Sequence, residues 1–497
     1  MGEIIAFVLY FVVVLAIGLF FFIASKNEGE KDYFLGGRKM GPWVTAMSAQ
    51  ASDMSAWLLM GLPGSILAFG LGQAWIGIGL AIGTALNWIL IAKRLRKFSK
   101  ASGDAITFPQ YLSNRFMATS PALKIICAVV FLISFTIYVA SSFVAGTTVF
   151  TTLFPKLGES LAMIIFTAII LVYTFLGGYK AVCWTDFFQG ILMLIALLAV
   201  PIVIVCTMSP STSVLSEVYT YGDNTYSFTS NLFNASWQEI VSGLAWGLGY
   251  FGMPHILVRF MGIEKPSMVK KSATVAIVWV IISLAAAILI AYFGRMVIGE
   301  QLLTTGKQQL VFIELARMLF PGFIAGILLA AIIAASMSTA DSQLLVASSS
   351  FTSDIYKPVF RKNASDNEIL WVGRLVVIVV SVVAYFIASS KGSGAQAIMD
   401  MVENAWGLFG AAFGPVVILS LFWKRFTYKG ALAGIIAGAI VDIVWFLYLS
   451  ASTGVYEILP GFIVSFIFSV IVSLIDKKPS AEIEAIFNEA INNSIDD

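Results

Sequence analysis

The chain has 497 residues, of which 59% are hydrophobic and 12% charged, with a net charge of +2 and a mean hydropathy of +0.91. A soluble domain carries about 25% charged residues, so this composition excludes one, and the near-balanced charge excludes a broad basic face for nucleic acid. Runs of about 20 apolar residues, each able to cross ~30 Å of hydrocarbon, recur from end to end without the alternating segments of a barrel, which makes this an all-α polytopic membrane protein.

In chain order, thirteen spans are predicted: 3–25, 41–71, 73–92, 124–154, 160–178, 184–207, 235–260, 272–299, 310–349, 368–390, 400–423, 430–450 and 457–475. The first is too long for a signal-peptide core and follows Glu3 rather than a basic cluster, so it reads as a retained span. Loops are short except for about 208–234, which contains Glu217 and Asp223 but no Lys or Arg. With the N-terminus outside, 25 of the 30 Lys and Arg, Lys26 and Arg259 among them, fall on the cytoplasmic side. That bias predicts N-out, C-in and an odd number of spans. Cys127, Cys183 and Cys206 stand singly and read as packing residues. Gly430, Gly434 and Gly438 share one helix face, a close-packing surface within the protein or between protomers. The tail, about 480–497, reads as a short, acidic, solvated cytoplasmic helix. No linker divides the chain, so residues 1–497 form one integral domain.

Three polar stretches interrupt this pattern. SAQASDMSAW, residues 48–57, places Asp53 among Ser and Ala, followed by LMGLPG with Gly61, Pro63 and Gly64. A carboxylate at mid-membrane costs roughly 3 kcal/mol or more, so it faces water, an ion or a partner. It either glues helices together by hydrogen bonds or belongs to an interrupted helix, whose freed carbonyls are tolerated where the backbone lines a cavity. SGLAWGLGYFGMPHILVRF, from Ser242 to Phe260, is interrupted in the same way by Gly243, Gly247, Gly249, Gly252 and Pro254. Two broken helices at matching places point to an inverted-repeat transporter, with repeats of about 41–207 and 235–424. The third stretch, AAIIAASMSTADSQLLVASSS, gathers Ser336, Ser338, Thr339, Asp341 and Ser342 within two turns. One hydroxyl would simply bond back to its own helix. Five polar groups make a hydrophilic face, and neutral oxygens beside freed carbonyls suit a hard monovalent cation such as sodium.

DYFLGGRKMGPWVTAMSAQASDMSAWLLMGLPG, TIYVASSFVAG, TFLGGYKAVCWTDFFQG, WGLGYFGMPHILVRFM, MSTADSQLLVASS, WVGR and FGAAFGPVV resemble, in order and spacing, the sodium:solute symporter family, and most its proline branch. The resemblance covers almost the whole chain. It implies thirteen helices on a five-plus-five inverted-repeat, leucine-transporter-like core with two broken helices. It also implies a sodium-coupled symporter that imports L-proline by alternating access through a bacterial cytoplasmic membrane. Carried over, sodium meets the carbonyls of Ala51, Met54 and Ala335 and the side chains of Ser338 and Thr339. Asp53 and Ser55 support that site, Asp53 electrostatically. The proline pocket falls on Tyr138, Trp246, Tyr250 and Pro254, whose aromatic faces suit an apolar pyrrolidine ring.

Two residues depart from the family pattern: Ala56 stands where the proline branch commonly has Gly, and Asp341 where some relatives carry Ser. Asp186 and Asp341 with Ser342 either form a second cation site or are structural hydrogen-bond acceptors. His255, the lone histidine, reads as a structural donor rather than a proton relay. No cofactor is expected beyond Na+ as coupling ion; the expected partners are Na+, a small solute and the bilayer, with no nucleic acid. The rival readings are the same machinery for another small amino acid or organic acid, and proton-coupled uptake. An enzyme is not expected, because neither HExxH nor a Ser/His/Asp set is present.

Overall fold

The computed structural model describes residues 1–24, 29–391 and 395–492. Lys26 of the basic set and the last five residues of the tail lie outside them. The spanning elements are α1 (Gly2–Ala24), α2 (Pro42–Met54), α3 (Gly61–Phe69), α4 (Leu71–Ala101), α5 (Ala122–Leu153), α6 (Glu159–Leu176) and α7 (Tyr179–Thr207). After the long loop come α8 (Trp237–Ala245), α9 (Pro254–Gly262), α10 (Val269–Leu303), α11 (Gly322–Phe351), α12 (Asp366–Lys391), α13 (Ala395–Phe422), α14 (Tyr428–Tyr448) and α15 (Ile458–Ile475). The tail helix α16 spans Ala481–Ile491.

By length and apolar composition, ten of the described helices cross a membrane, or eleven when the bent pair at 237–262 counts as one span. The expected thirteen exceed this for two physical reasons. Span 41–71 is cut into α2 and α3, and in the 160–178 region the apolar run Glu159–Phe175 is shorter than a full span.

Burial sorts the helices into two shells. Every residue of α11 from Leu328 to Ser350 is buried, as is every residue of α2 from Val44 to Met54. The outer helices expose large apolar side chains, such as Phe20 on α1, Phe386 on α12 and Ile475 on α15. Lipid is as apolar as these side chains, so the outer shell loses nothing by facing it, whereas Ser, Thr and Asp must turn inward.

Local chemistry sets the helix starts. Pro42 and Pro254 occupy first-turn positions, where a missing N–H costs nothing. Ser236 and Glu239 form a capping box at α8. The long loop carries a hairpin, Tyr219–Tyr221 against Asn224–Tyr226, and ties to the junction of α3 and α4: Leu71 N–H donates to Thr229 O at 2.7 Å. The glycine face of α14 packs inside the protein, because any Cβ on Gly430 or Gly434 would overlap Ser473 or Ser469 of α15. The tail is helical, but it is not simply solvated. Phe487 is buried, 5.2 Å from Phe98 and under the Arg115 guanidinium.

Candidate functional site

The first interruption is local. Helix α2 stops at Met54, and Ser55 takes φ 48° and ψ −175°, a left-handed conformation that non-glycine residues adopt only when the surroundings hold it. Its hydroxyl accepts from Trp57 N–H at 3.1 Å, and a 3-10 turn beginning at Ala56 precedes α3. The second interruption is the 3-10 turn Trp246–Phe251 between α8 and α9, where the chain bends by 43°.

The two interruptions meet. Tyr250 donates its hydroxyl proton to Asp53 Oδ2 at 2.5 Å, and Tyr138 of α5 donates to the Asp53 carbonyl at 3.4 Å. The rings of Trp57 and Trp246 stack at 5.5 Å and 25°. Trp406 of α13 donates its indole N–H to the Trp246 carbonyl at 2.7 Å and stands edge-on to Tyr250 at 5.0 Å. These groups enclose a cavity of about 10 Å³, lined by Asp53, Met54, Trp57, Leu80, Tyr138, Trp246, Tyr250, Val402 and Trp406. That is room for about one water, so the rings fill the centre. Tyr138, Trp246 and Tyr250 therefore come together. Pro254 does not line the cavity; it opens α9 beyond the bend. Trp57 and Trp406 were missed by sequence reasoning. Trp57 was legible from its place in the break, but Trp406 is one of 12 tryptophans and carries no local signal.

Beside the cavity, α11 is clasped to α2. Ser338 Oγ lies 2.8 Å from the Ala51 carbonyl and 3.2 Å from that of Ala335. Thr339 Oγ1 is buried without a hydrogen-bond partner. One hydroxyl proton serves one acceptor at a time, so this spot holds more oxygen lone pairs than protons. Met54 adjoins the break and lines the cavity.

A second buried polar cluster surrounds Arg259 of α9, a residue that sequence reasoning counted only as a cytoplasmic-side charge. Its guanidinium lies 3.2 Å from Asp186 Oδ2, donates to Ser48 Oγ at 3.2 Å and to Ser342 Oγ at 2.5 Å; both members of the ion pair are fully buried. Ser342 Oγ is 3.4 Å from Asp341 Oδ1, while Asp186 Oδ1 and Asp341 Oδ2 are buried without hydrogen-bond partners. The structure thus brings Asp186, Asp341 and Ser342 together, around a guanidinium. His255 packs its ring edge-on against Phe135 at 5.7 Å.

The centre has unequal sides. Toward α3, Trp246 also borders a cavity of about 200 Å³ lined by Gly61, Ser65, Gln308, Met399 and Glu403. Toward the start of α2, Arg38 donates to the Met261 carbonyl at 2.5 Å and the Ala105 carbonyl at 2.7 Å, and pairs with Asp104 at 2.8 Å. Asp104 also binds Lys31. Met40 N–H donates to Gly262 O at 3.3 Å, joining this segment to the end of α9. One face is open to a cavity and the other is clamped.

Two interrupted helices meeting at a buried polar centre, within a shell of lipid-facing helices, define a helical secondary transporter with the five-plus-five inverted-repeat fold. Two solved structures share that fold. One is a Na+-coupled sialic acid symporter in a substrate-bound, outward-open state (TM-score 0.73, 19% identity, 97% of this chain and 98% of that one). The other is a nucleobase-cation-symport-1 family transporter in a closed conformation with bromovinylhydantoin bound (TM-score 0.55, 14% identity, 92% and 98%).

The chain belongs to the sodium:solute symporter family, whose model matches residues 33–438. Among its relatives are the sodium/proline symporter of Escherichia coli (strain K12), 42% identical over 98% of this chain and 95% of that protein, and the osmoregulated proline transporter of Bacillus subtilis (strain 168), 42% identical over 95% and 94%. The protein is therefore a multi-pass membrane transporter and not an enzyme.

Proposed function

We propose that this protein is a sodium-coupled symporter that imports L-proline by alternating access through the cytoplasmic membrane of a bacterium. The observation that carries the reading is the Asp53–Tyr250 junction of the two broken helices, directly beside the oxygen cluster of Ala51, Ala335, Ser338 and Thr339. The identity of about 42% to sodium/proline symporters along nearly the full chain supports the substrate.

Sodium is held by the carbonyls of Ala51, Met54 and Ala335 with the hydroxyls of Ser338 and Thr339. Its arrival turns Ser338 Oγ from a donor bridging two carbonyls into a ligand, and so fixes α2 against α11. Ser55 keeps the break open, and Asp53, held by Tyr250, supplies negative charge without touching the ion. Proline enters between Trp57 and Trp246, with the Tyr138 and Tyr250 hydroxyls toward its polar groups and Pro254 setting the start of α9. The arriving zwitterion parts the stacked rings, which explains why the cavity between them is so small.

Energy comes from the ion. One charge moving through about 100 mV supplies ~2.3 kcal/mol, and a tenfold sodium gradient adds ~1.4 kcal/mol, enough for roughly 500-fold accumulation. The bias of positive charges supports an N-terminus outside and a C-terminus in the cytoplasm. The α3-side cavity is then the outer vestibule, and the Arg38–Asp104 clamp closes the inner side. The repeats run over about 41–207 and 235–424 within a single domain, 1–497.

A second monovalent cation at Asp186, Asp341 and Ser342 completes the reading. Two carboxyl groups face a single guanidinium there, and each keeps one buried oxygen without a partner.

The test is uptake of labelled proline into vesicles containing the purified protein. Uptake driven by an inward sodium gradient, lost with choline in place of sodium at fixed pH, is the expected result. Equal uptake with choline and a proton gradient would make the carrier proton-coupled. Stronger inhibition of that uptake by another amino acid or an organic acid than by unlabelled proline would reassign the substrate.

A further inference from the structure

Two buried polar side chains between the centre and the clamp take no part in the transport reading so far. Asn87 of α4 and Ser134 of α5 are fully buried, and neither Asn87 Nδ2, Asn87 Oδ1 nor Ser134 Oγ has a hydrogen-bond partner. A carboxamide can donate two hydrogen bonds and accept two. Buried and unsatisfied, it destabilises this state, whereas an apolar side chain of the same size would pack there without that cost. The helix also opens into a π turn over Asn87–Ala92, a distortion that recurs at functional sites.

The course of α4 shows which way Asn87 faces. Ile76 lines the α3-side cavity and Leu80 the central one. Steps of four and seven residues return to nearly the same face of a helix, so Ile76, Leu80 and Asn87 form one stripe. On the adjoining flank, a Cβ on Gly83 would overlap the Gly247 carbonyl of the second interruption. Asn87 lies about 10 Å beyond Leu80 along the axis. Further along α4, Ser99 accepts from Arg38 of the clamp at 3.1 Å. Asn87 thus stands between the centre and the clamp, on the face that lines the centre.

Ser134 repeats the arrangement on a second helix. Tyr138 lines the central cavity, and Ser134, four residues earlier, shares its face about 6 Å closer to the start of α5. That start follows α4 through Asp104, Ala105 and the short helix Phe108–Arg115, so it lies on the clamp side. Two helices therefore carry an unsatisfied polar group one to two turns inward of the cavity wall.

We propose that Asn87 and Ser134 form an inner way station for the carboxylate of the solute, occupied as the solute leaves the centre for the cytoplasm. The inference rests on the transport reading and adds a place on its exit path. Opening of the Arg38–Asp104 clamp admits water and solute to this side. The Asn87 N–H groups and the Ser134 hydroxyl then donate to the carboxylate that the central tyrosines release. An apolar pair would leave it without donors on this leg.

Measurements with labelled proline on the reconstituted protein test this. Asn87→Leu keeps the size and removes the polar atoms. Its turnover number at saturating proline and sodium should fall by about tenfold, the factor that one hydrogen bond to a charged group supplies. Sodium-dependent equilibrium binding of proline, which reads the centre, should keep the wild-type affinity, and the melting midpoint should not fall. Ser134→Ala should show the same split. Wild-type turnover in Asn87→Leu overturns the proposal, and so does a binding affinity that falls as far as the turnover does, which would put the residue at the centre. Should Asn87→Leu not fold, Ser134→Ala, which removes a single atom, decides by the same two readouts. Absence of sodium-driven uptake in the wild type would overturn the symport reading as well, whereas normal wild-type uptake with unchanged variants overturns this inference alone.

Discussion

Tyr250 and Asp53, 197 residues apart, share a 2.5 Å hydrogen bond that joins the two interrupted helices at the buried centre. Tyr250→Phe leaves the Asp53 carboxylate without its donor, a loss of about 1–3 kcal/mol. Proline uptake efficiency should then fall by roughly 10- to 100-fold. Asp53→Asn keeps the shape but removes the charge, and should abolish stimulation by sodium. Sodium stimulation equal to wild type in Asp53→Asn vesicles would remove Asp53 from the ion site.

The oxygen cluster makes a different prediction. Ser338→Ala and Thr339→Ala should each raise the sodium concentration for half-maximal uptake by about tenfold, equivalent to ~1.4 kcal/mol of lost ligation. A second cation near Arg259 should make wild-type sodium activation cooperative, and Asp341→Asn should return it to a Hill coefficient of about 1, as expected when one site remains. Hyperbolic activation in the wild type would assign Asp186 and Asp341 to structure alone.

The stacked pair Trp57 and Trp246, 5.5 Å apart, leaves no room for a ring-sized solute. Proline with sodium should therefore change the intrinsic tryptophan fluorescence, and neither alone should do so fully. Trp57→Phe should remove most of the change while sparing the fold. A signal that persists in full in that variant would show that the rings do not part.

Asp104 closes the other side. Partial burial raises its carboxyl, but the Lys31 hydrogen bond and the charges of Arg38, Lys31 and Lys100 outweigh this and hold it below its ordinary value of 3.8. A depressed carboxylate stabilises the fold fully above that ordinary value and loses its contribution as pH falls through the lowered one. The clamp therefore persists throughout the neutral range. Asp104→Asn should loosen it throughout the neutral range, seen as faster labelling of a cysteine introduced near Arg38. Unchanged labelling would assign the clamp to the Arg38–carbonyl bonds alone.

Much of this was legible in the chain. Asp53 could be read because a carboxylate in an apolar segment costs too much to be incidental, and Ser338 and Thr339 because five polar groups exceed what helix back-bonding needs. The breaks were legible from clustered Gly, Pro and Ser, although the first turns on Ser55 itself rather than on Gly61 or Pro63. Arg259 was hidden by its place at a span end, where a basic residue reads as a topology signal. Pro254 was assigned to the pocket because it adjoins the break, but adjacency in sequence does not survive a 43° bend.

Hydropathy and composition by themselves determined the membrane class, the order of the apolar segments, the two interruptions and the polar helix. Those properties are set by local transfer energies and by residues that cannot continue a helix. Only the tertiary structure decided that Tyr250 reaches Asp53, that Ser338 reaches the Ala51 carbonyl, that Trp406 braces Trp246, and that Arg259 sits among the carboxyl groups. Each of these is a contact between segments distant along the chain. Such contacts arise from how the helices pack, which no single segment's periodicity encodes.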